Sequence, residues 1–130
     1  RTTTWEGVRN YQARNLLRAM KKSDEALFYH SNADPPAVVG TVTIVREAYP
    51  DPEQFDPKSR YHDPKSRPED PRWDMVDVRY GKALKRPLPL PELREQKALA
   101  GMELLRKGSR LSVQPVSAAE WRRILKLGGL

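Results

Sequence analysis

Between Trp5 and Asn15 eleven residues hold two aromatic rings, two arginines, two asparagines and a glutamine. Those side chains share a chemistry. Aromatic faces stack on nucleobases, each stack being worth about 1–3 kcal/mol. Asn10, Gln12 and Asn15 each offer a donor beside an acceptor, the pattern that matches a base edge. Arg9 and Arg14 can hold phosphates or lie flat on rings. The start of a helix near Tyr11 adds backbone N–H groups that favour anions. The same residues also fit a structural role, with Trp5 and Tyr11 as core anchors and the amides as caps. The stretch alone leaves both open.

Other chemistries find less support. The chain has no cysteine, which excludes disulfides, thiolate catalysis and cysteine zinc sites. His30 and His62 are the two histidines and have no helical pair spacing. No phosphate-binding glycine loop follows a strand. Ser31 follows His30 directly, and adjacent strand residues point to opposite faces, so they make a poor nucleophile and base. Neither a cofactor nor a metal is expected, and no catalytic residue stands out.

The charge balance is basic. Net charge is +7 over 130 residues. Residues 1–65 carry ten Lys/Arg against nine Asp/Glu, and residues 66–130 carry fourteen against eight. Such an excess attracts polyanions without sequence preference, or simply solvates the surface. No apolar run reaches the roughly 18 residues that span a bilayer. No secretory signal is visible at the start, which is Arg1.

The length suggests a single domain over 1–130. Thr2 to Thr4 read as cap-type residues ahead of a helix at about 12–22 with Leu16, Leu17 and Met20 on one side. Strands are expected at 26–31, 37–49, 73–84 and 110–116. Residues 50–72 form a long proline-rich loop in which DPKSR occurs twice, at 56–60 and 63–67. Phe55, Tyr61 and Trp73 should anchor it. Helices are expected from Glu92, over a second piece near 102–107, and over the final SAAEWRRILKL, which Ser117 and Glu120 cap. Trp121, Ile124 and Leu125 would be its buried stripe. Scattered strands with helices between them imply an α+β fold, a small mostly antiparallel barrel with helices packed around it.

The segments TTTWEGVRNYQARNLLRAM, LFYHS, VREAYPDPEQFDPKSRYHDPKSRP, RWDMVDVRY and RLSVQPVSAAEWRRIL together resemble the EVE domain family along essentially the whole chain. That resemblance implies a PUA-like barrel, distantly similar to YTH readers of methylated adenosine. It implies a non-enzymatic reader of modified bases, with 5-methylcytosine and 5-hydroxymethylcytosine in DNA proposed for eukaryotic members and modified RNA open for bacterial ones. Family members usually begin with a strand resembling Trp-Leu-Met-Lys-Ser-Glu-Pro, and this chain starts after it. By the same resemblance Trp5 is one wall of an aromatic cage. Val8, Arg9, Asn10, Tyr11, Gln12, Arg14 and Asn15 belong to its helix entry, and Tyr29, His30 and Ser31 to a strand end opening into the cavity. A second wall would come from Tyr49, Phe55, Tyr61 or Trp73, with Arg110 and Ser112 near the floor. The implied partner is nucleic acid carrying a modified base, not a membrane. The implied protein is a monomer, intracellular, cytoplasmic in a bacterium and nuclear in a eukaryote. Two rivals use the same features: a nucleoside-binding protein or enzyme built on the cavity, and a protein-interaction module built on the proline-rich loop.

Overall fold

The computed structural model describes residues 1–109 and 111–130. Their elements begin with strand β1 (Thr2–Trp5), helix α1 (Tyr11–Ala19) and strands β2 (Glu25–His30) and β3 (Ala37–Pro50). A 3-10 turn at Pro52–Phe55, strand β4 (Asp74–Pro89) and helix α2 (Leu90–Arg94) follow. Two further 3-10 turns at Lys97–Leu99 and Glu103–Leu105 precede helix α3 (Ala118–Leu127). The fold is α+β, an antiparallel sheet with three α-helices among the described residues.

The sheet runs in the order β1-β4-β3-β2. It is open, with β1 and β2 at its edges, and does not close on itself as the sequence reading of a barrel would have it. β3 forms where β-branched residues crowd together, and it is buried almost continuously from Ala37 to Ile44, as a central strand should be. The threonines at the start do not cap α1. They form β1, which pairs antiparallel with β4 in the register Thr2↔Arg79 to Trp5↔Val76. Threonine and tryptophan both suit a pleated edge, and β4 offers them a ladder. The cap falls to Asn10, whose side chain accepts from the Ala13 N–H.

Two further expectations need correction. No strand forms over 111–116, where Pro115 removes a ladder donor, although Val113 is still buried. Arg110 lies outside the described residues. The helix expected from Glu92 is one short turn of α-helix and a 3-10 turn, because the backbone leaves the helical region at Gln96, and the second piece expected near 102–107 is the 3-10 turn Glu103–Leu105.

The chain divides into two compact units. The first contains Arg1–Asp24, Thr43–Arg79 and Leu111–Val113, and the second contains Glu25–Val42, Tyr80–Arg110 and Gln114–Leu130. In the first, Val8, Ala13, Leu17, Ile44, Met75, Val76 and Val78 are buried. In the second, Val38, Leu84, Leu88, Leu93, Leu99, Met102 and Ile124 form the core. α3 has the expected capping box, Ser117 accepting from Glu120 N–H and Glu120 from Ser117 N–H. Ile124 anchors it, while Trp121 is only half-buried and stands outside that core cluster, contrary to its reading as a core residue.

Candidate nucleic-acid interface

The first unit holds most of the residues singled out above, and a buried carboxylate organises them. Asp51 is fully buried. Its Oδ2 accepts from the Gly7 N–H at 3.0 Å and from Arg9 Nη1 at 3.1 Å, and its Oδ1 accepts from the Glu53 N–H at 2.8 Å. A buried charge is tolerable only when paired and hydrogen-bonded in this way. Arg9 also donates through Nε to the Tyr61 carbonyl and through Nη1 to the Val8 carbonyl. Gly7 has φ of 78°, and a Cβ there would sit 2.8 Å from the Tyr61 ring, so conformation and space both demand glycine. The link from β1 to α1 is thus fixed at three consecutive residues. Trp5 stands at its start, half-buried, with no hydrogen bond to its indole N–H among the described residues.

Rings and guanidinium groups follow one another through this unit. Arg14 lies over the Tyr11 ring at 4.7 Å, and Tyr11 stacks on Trp73 at 4.8 Å with 29° between planes. Arg9 lies 5.7 Å from the Trp73 ring and 5.4 Å from that of Tyr61, and Arg60 lies 4.8 Å from Tyr61. Trp73 is only 6% exposed, and its Nε1 donates to Asp63 Oδ2 at 2.7 Å. That hydrogen bond, then the Lys65 N–H and the nearby Arg72 guanidinium, hold the Asp63 carboxyl below its ordinary range against the opposing effect of burial. Tyr11 is half exposed.

The long loop is held from within. Gln54 is fully buried and donates from Nε2 to the carbonyls of Asp51 (2.7 Å) and Trp73 (2.8 Å). Its Oε1 accepts from Ser66 Oγ (2.6 Å) and the Trp73 N–H (3.0 Å). Each DPKSR copy folds into the same turn: Asp56 accepts from Lys58 N–H and Ser59 N–H, and Asp63 from Lys65 N–H and Ser66 N–H. The copies differ in what else they do. Asp63 and Ser66 reach inward to Trp73 and Gln54, whereas Asp56 stays exposed. The roles of Asp51, Gln54 and Asp63 escaped the sequence reading; the duplicated motif contains Asp63 but neither Asp51 nor Gln54.

The remaining candidates sort as follows. Trp5, Val8, Arg9, Asn10, Tyr11, Gln12, Arg14, Asn15, Tyr49, Trp73 and Ser112 lie in the first unit. Val8 is buried, Asn10 is the helix cap, and Gln12 is exposed. Asn15 accepts from Arg14 Nε and Nη2, and Arg14 Nη1 reaches the Arg72 carbonyl. Arg18, outside the predicted set, pairs with Asp74. Tyr49 donates to Asp77 under the Arg46 guanidinium, 3.5 Å from its ring. Burial, then the Asp77 carboxylate, raise the Tyr49 phenol above its usual range. Ser112 is exposed. Tyr29, His30 and Ser31 belong to the second unit, where they line a cavity of about 550 Å³ with Phe28, Asn32 and Ala33. Burial raises the Tyr29 phenol, and Arg94 partly offsets the rise. No group of acidic or histidine side chains able to hold a metal occurs among the described residues.

Comparison with known proteins places this arrangement in a family. The chain is 50% identical to thymocyte nuclear protein 1 of Mus musculus over 134 residues, covering 97% of this chain and 59% of that protein. It is 47% identical to the Homo sapiens protein with the same coverage of each. The chain therefore spans about three fifths of the length of these relatives. Among solved structures, a protein of Pseudomonas syringae superimposes with a TM-score of 0.93 at 46% identity, covering 98% of this chain and 85% of that one. Human THYN1 in complex with 5-methylcytosine-containing DNA superimposes with a TM-score of 0.93 at 44% identity, covering 99% of this chain and 80% of that one. The family model for the EVE domain matches residues 1–127, and the chain belongs to the EVE domain family.

Proposed function

We propose that this chain is a non-enzymatic module that binds nucleic acid and accepts one modified base, methylated or hydroxymethylated, against Trp5. The observation that carries this reading is the human relative solved with 5-methylcytosine-containing DNA, at 44% identity over 99% of this chain. The local chemistry agrees. Trp5 offers a ring and an uncommitted N–H, and the Asp51 network makes the turn behind it rigid, so little ordering cost falls on binding. Gln12 and Asn15 are exposed amides on α1, suited to base edges, and Arg14 and Tyr11 stand on the same helix. Extruding a base costs a few kcal/mol, which stacking and edge hydrogen bonds offset. A methyl group adds about 0.8 kcal/mol when its carbon is buried.

We also read the open sheet as the main part of a PUA-like barrel, a reading supported by the family match; closure would add pairing at the free edge of β1 or β2. No helix is long and apolar enough to cross a membrane among the described residues. A nucleic-acid ligand fits a monomer working inside the cell, in the nucleus of a eukaryote or the cytoplasm of a bacterium.

Trp5→Ala tests the reading. Binding of an oligonucleotide with one 5-methylcytosine should weaken by about 1–3 kcal/mol, with the melting temperature nearly unchanged. Ile124→Ala is the control for a core residue and should cost about 2–5 kcal/mol of stability. Unchanged binding by a folded Trp5→Ala protein, or a stability loss matching that of Ile124→Ala, would refute the assignment.

A further inference from the structure

A second aromatic surface lies in the other unit and has no role in the reading above. Phe28 and His30 sit two apart on β2, on one face of the strand. Their rings meet edge to face at 4.8 Å, and Phe28 meets Tyr80 of β4 at 5.6 Å. The backbone here is tight. Lys82 N–H donates to Thr41 Oγ1 at 3.0 Å, and a Cβ on Gly81 would lie 2.5 Å from that oxygen, so glycine lets β4 press against β3 beside Tyr80. The rings are not sealed: Tyr80 is 44% exposed and His30 is exposed. Phe28 and His30 also border the cavity that Ser31 and Asn32 line. Lys82, two residues beyond Tyr80, is exposed and pairs with no carboxylate among the described residues. The sequence of this unit carries eleven Lys/Arg against six Asp/Glu, whereas the first unit carries thirteen against eleven.

Partly exposed rings beside an unpaired cation on a basic unit suit a polyanion whose monomers carry flat rings. We infer that Phe28, His30 and Tyr80 form a stacking platform for an unmodified, unpaired base in the bound strand, distinct from the modified base at Trp5, with Lys82 taking the adjoining phosphate. The inference rests on the nucleic-acid reading above. It assigns Tyr80 to affinity for the strand and not to discrimination between modified and unmodified bases.

The test measures anisotropy with a labelled single-stranded oligonucleotide containing one 5-methylcytosine, with its unmodified twin and with free 5-methylcytidine as competitor. Tyr80→Ala should weaken both oligonucleotides by about tenfold and equally. Tyr80→Phe should bind as the parent does, and Tyr80→Leu, which keeps the apolar bulk, should lose as Tyr80→Ala does. Should Tyr80→Ala melt early, Tyr80→Leu decides. Competition by the free nucleoside should be the same in all. Binding by the Tyr80→Leu protein within twofold of the parent would overturn the platform while leaving the reader intact. A loss confined to the methylated oligonucleotide would overturn it too, since Tyr80 would then serve the modified base itself. If the parent protein binds neither oligonucleotide, the reader fails and the platform with it.

Discussion

Single residues here do work that their types alone do not announce. Tyr49 gives up its hydroxyl proton late because burial disfavours the phenolate and Asp77 accepts its hydrogen bond. The folded protein therefore holds this proton more tightly than the unfolded chain does. Its contribution to stability is complete below the ordinary tyrosine pKa of about 10 and disappears as pH rises through the higher folded value. Ultraviolet titration should show Tyr49 and the half-buried Tyr29 ionising late. Asp77→Asn should bring Tyr49 earlier and leave Tyr29 where it was. A titration in which Asp77→Asn moves neither would contradict the assigned hydrogen bond. Nothing in the sequence marks the Tyr49–Asp77 pair, since 28 residues separate its members.

At the scale of elements, legibility followed how local the cause was. The β-branched run gave β3, and the serine–glutamate spacing gave the cap of α3, because both signals lie inside the element they form. β1 was missed because threonines become a strand only when β4 supplies the ladder. The strand expected at 110–116 does not form over 111–116, and the helix expected from Glu92 is cut short, for the converse reason: apolar periodicity persists where proline and chain reversals forbid the regular backbone. Phe55, Tyr61 and Trp73 were readable as candidate anchors of the proline-rich loop, but its hub was not: Gln54 resembles any surface glutamine until its four hydrogen bonds are seen. Removing it orphans the buried Trp73 N–H, at a cost of about 1–3 kcal/mol, and leaves the Asp51 and Trp73 carbonyls with their backbone donors alone. Trypsin should cut the parent slowly at Lys58, Arg60 and Lys65, and Gln54→Ala markedly faster at those three bonds while the rest of the chain resists. Equal cleavage rates would show that the loop is ordered without Gln54.

For the whole molecule the governing quantity is charge. The net +7 makes association with any nucleic acid dependent on displaced counterions. If three to four phosphates are engaged, the logarithm of affinity should fall with that of salt at a slope of about −3. Raising salt from 50 to 200 mM would then weaken binding about sixtyfold. Lys82→Ala should make the slope shallower by about one, as each phosphate contact contributes nearly one ion. Affinity that stays flat over the same range would remove the polyanion from the account altogether.

The succession from Arg14 through Tyr11, Trp73, Arg9 and Tyr61 to Arg60 has a consequence for how this sequence can drift. Each inner member touches two others, so replacing one changes the background against which its neighbours are judged. Energies at adjoining positions will not add, whereas those at well-separated positions will. A Tyr61 variant that is harmless beside Arg9 can be ruinous beside a lysine, which lacks the flat guanidinium that lies against a ring. Substitutions at these six positions should therefore be judged as a linked set, and a homologue that differs at one of them is expected to differ at the next.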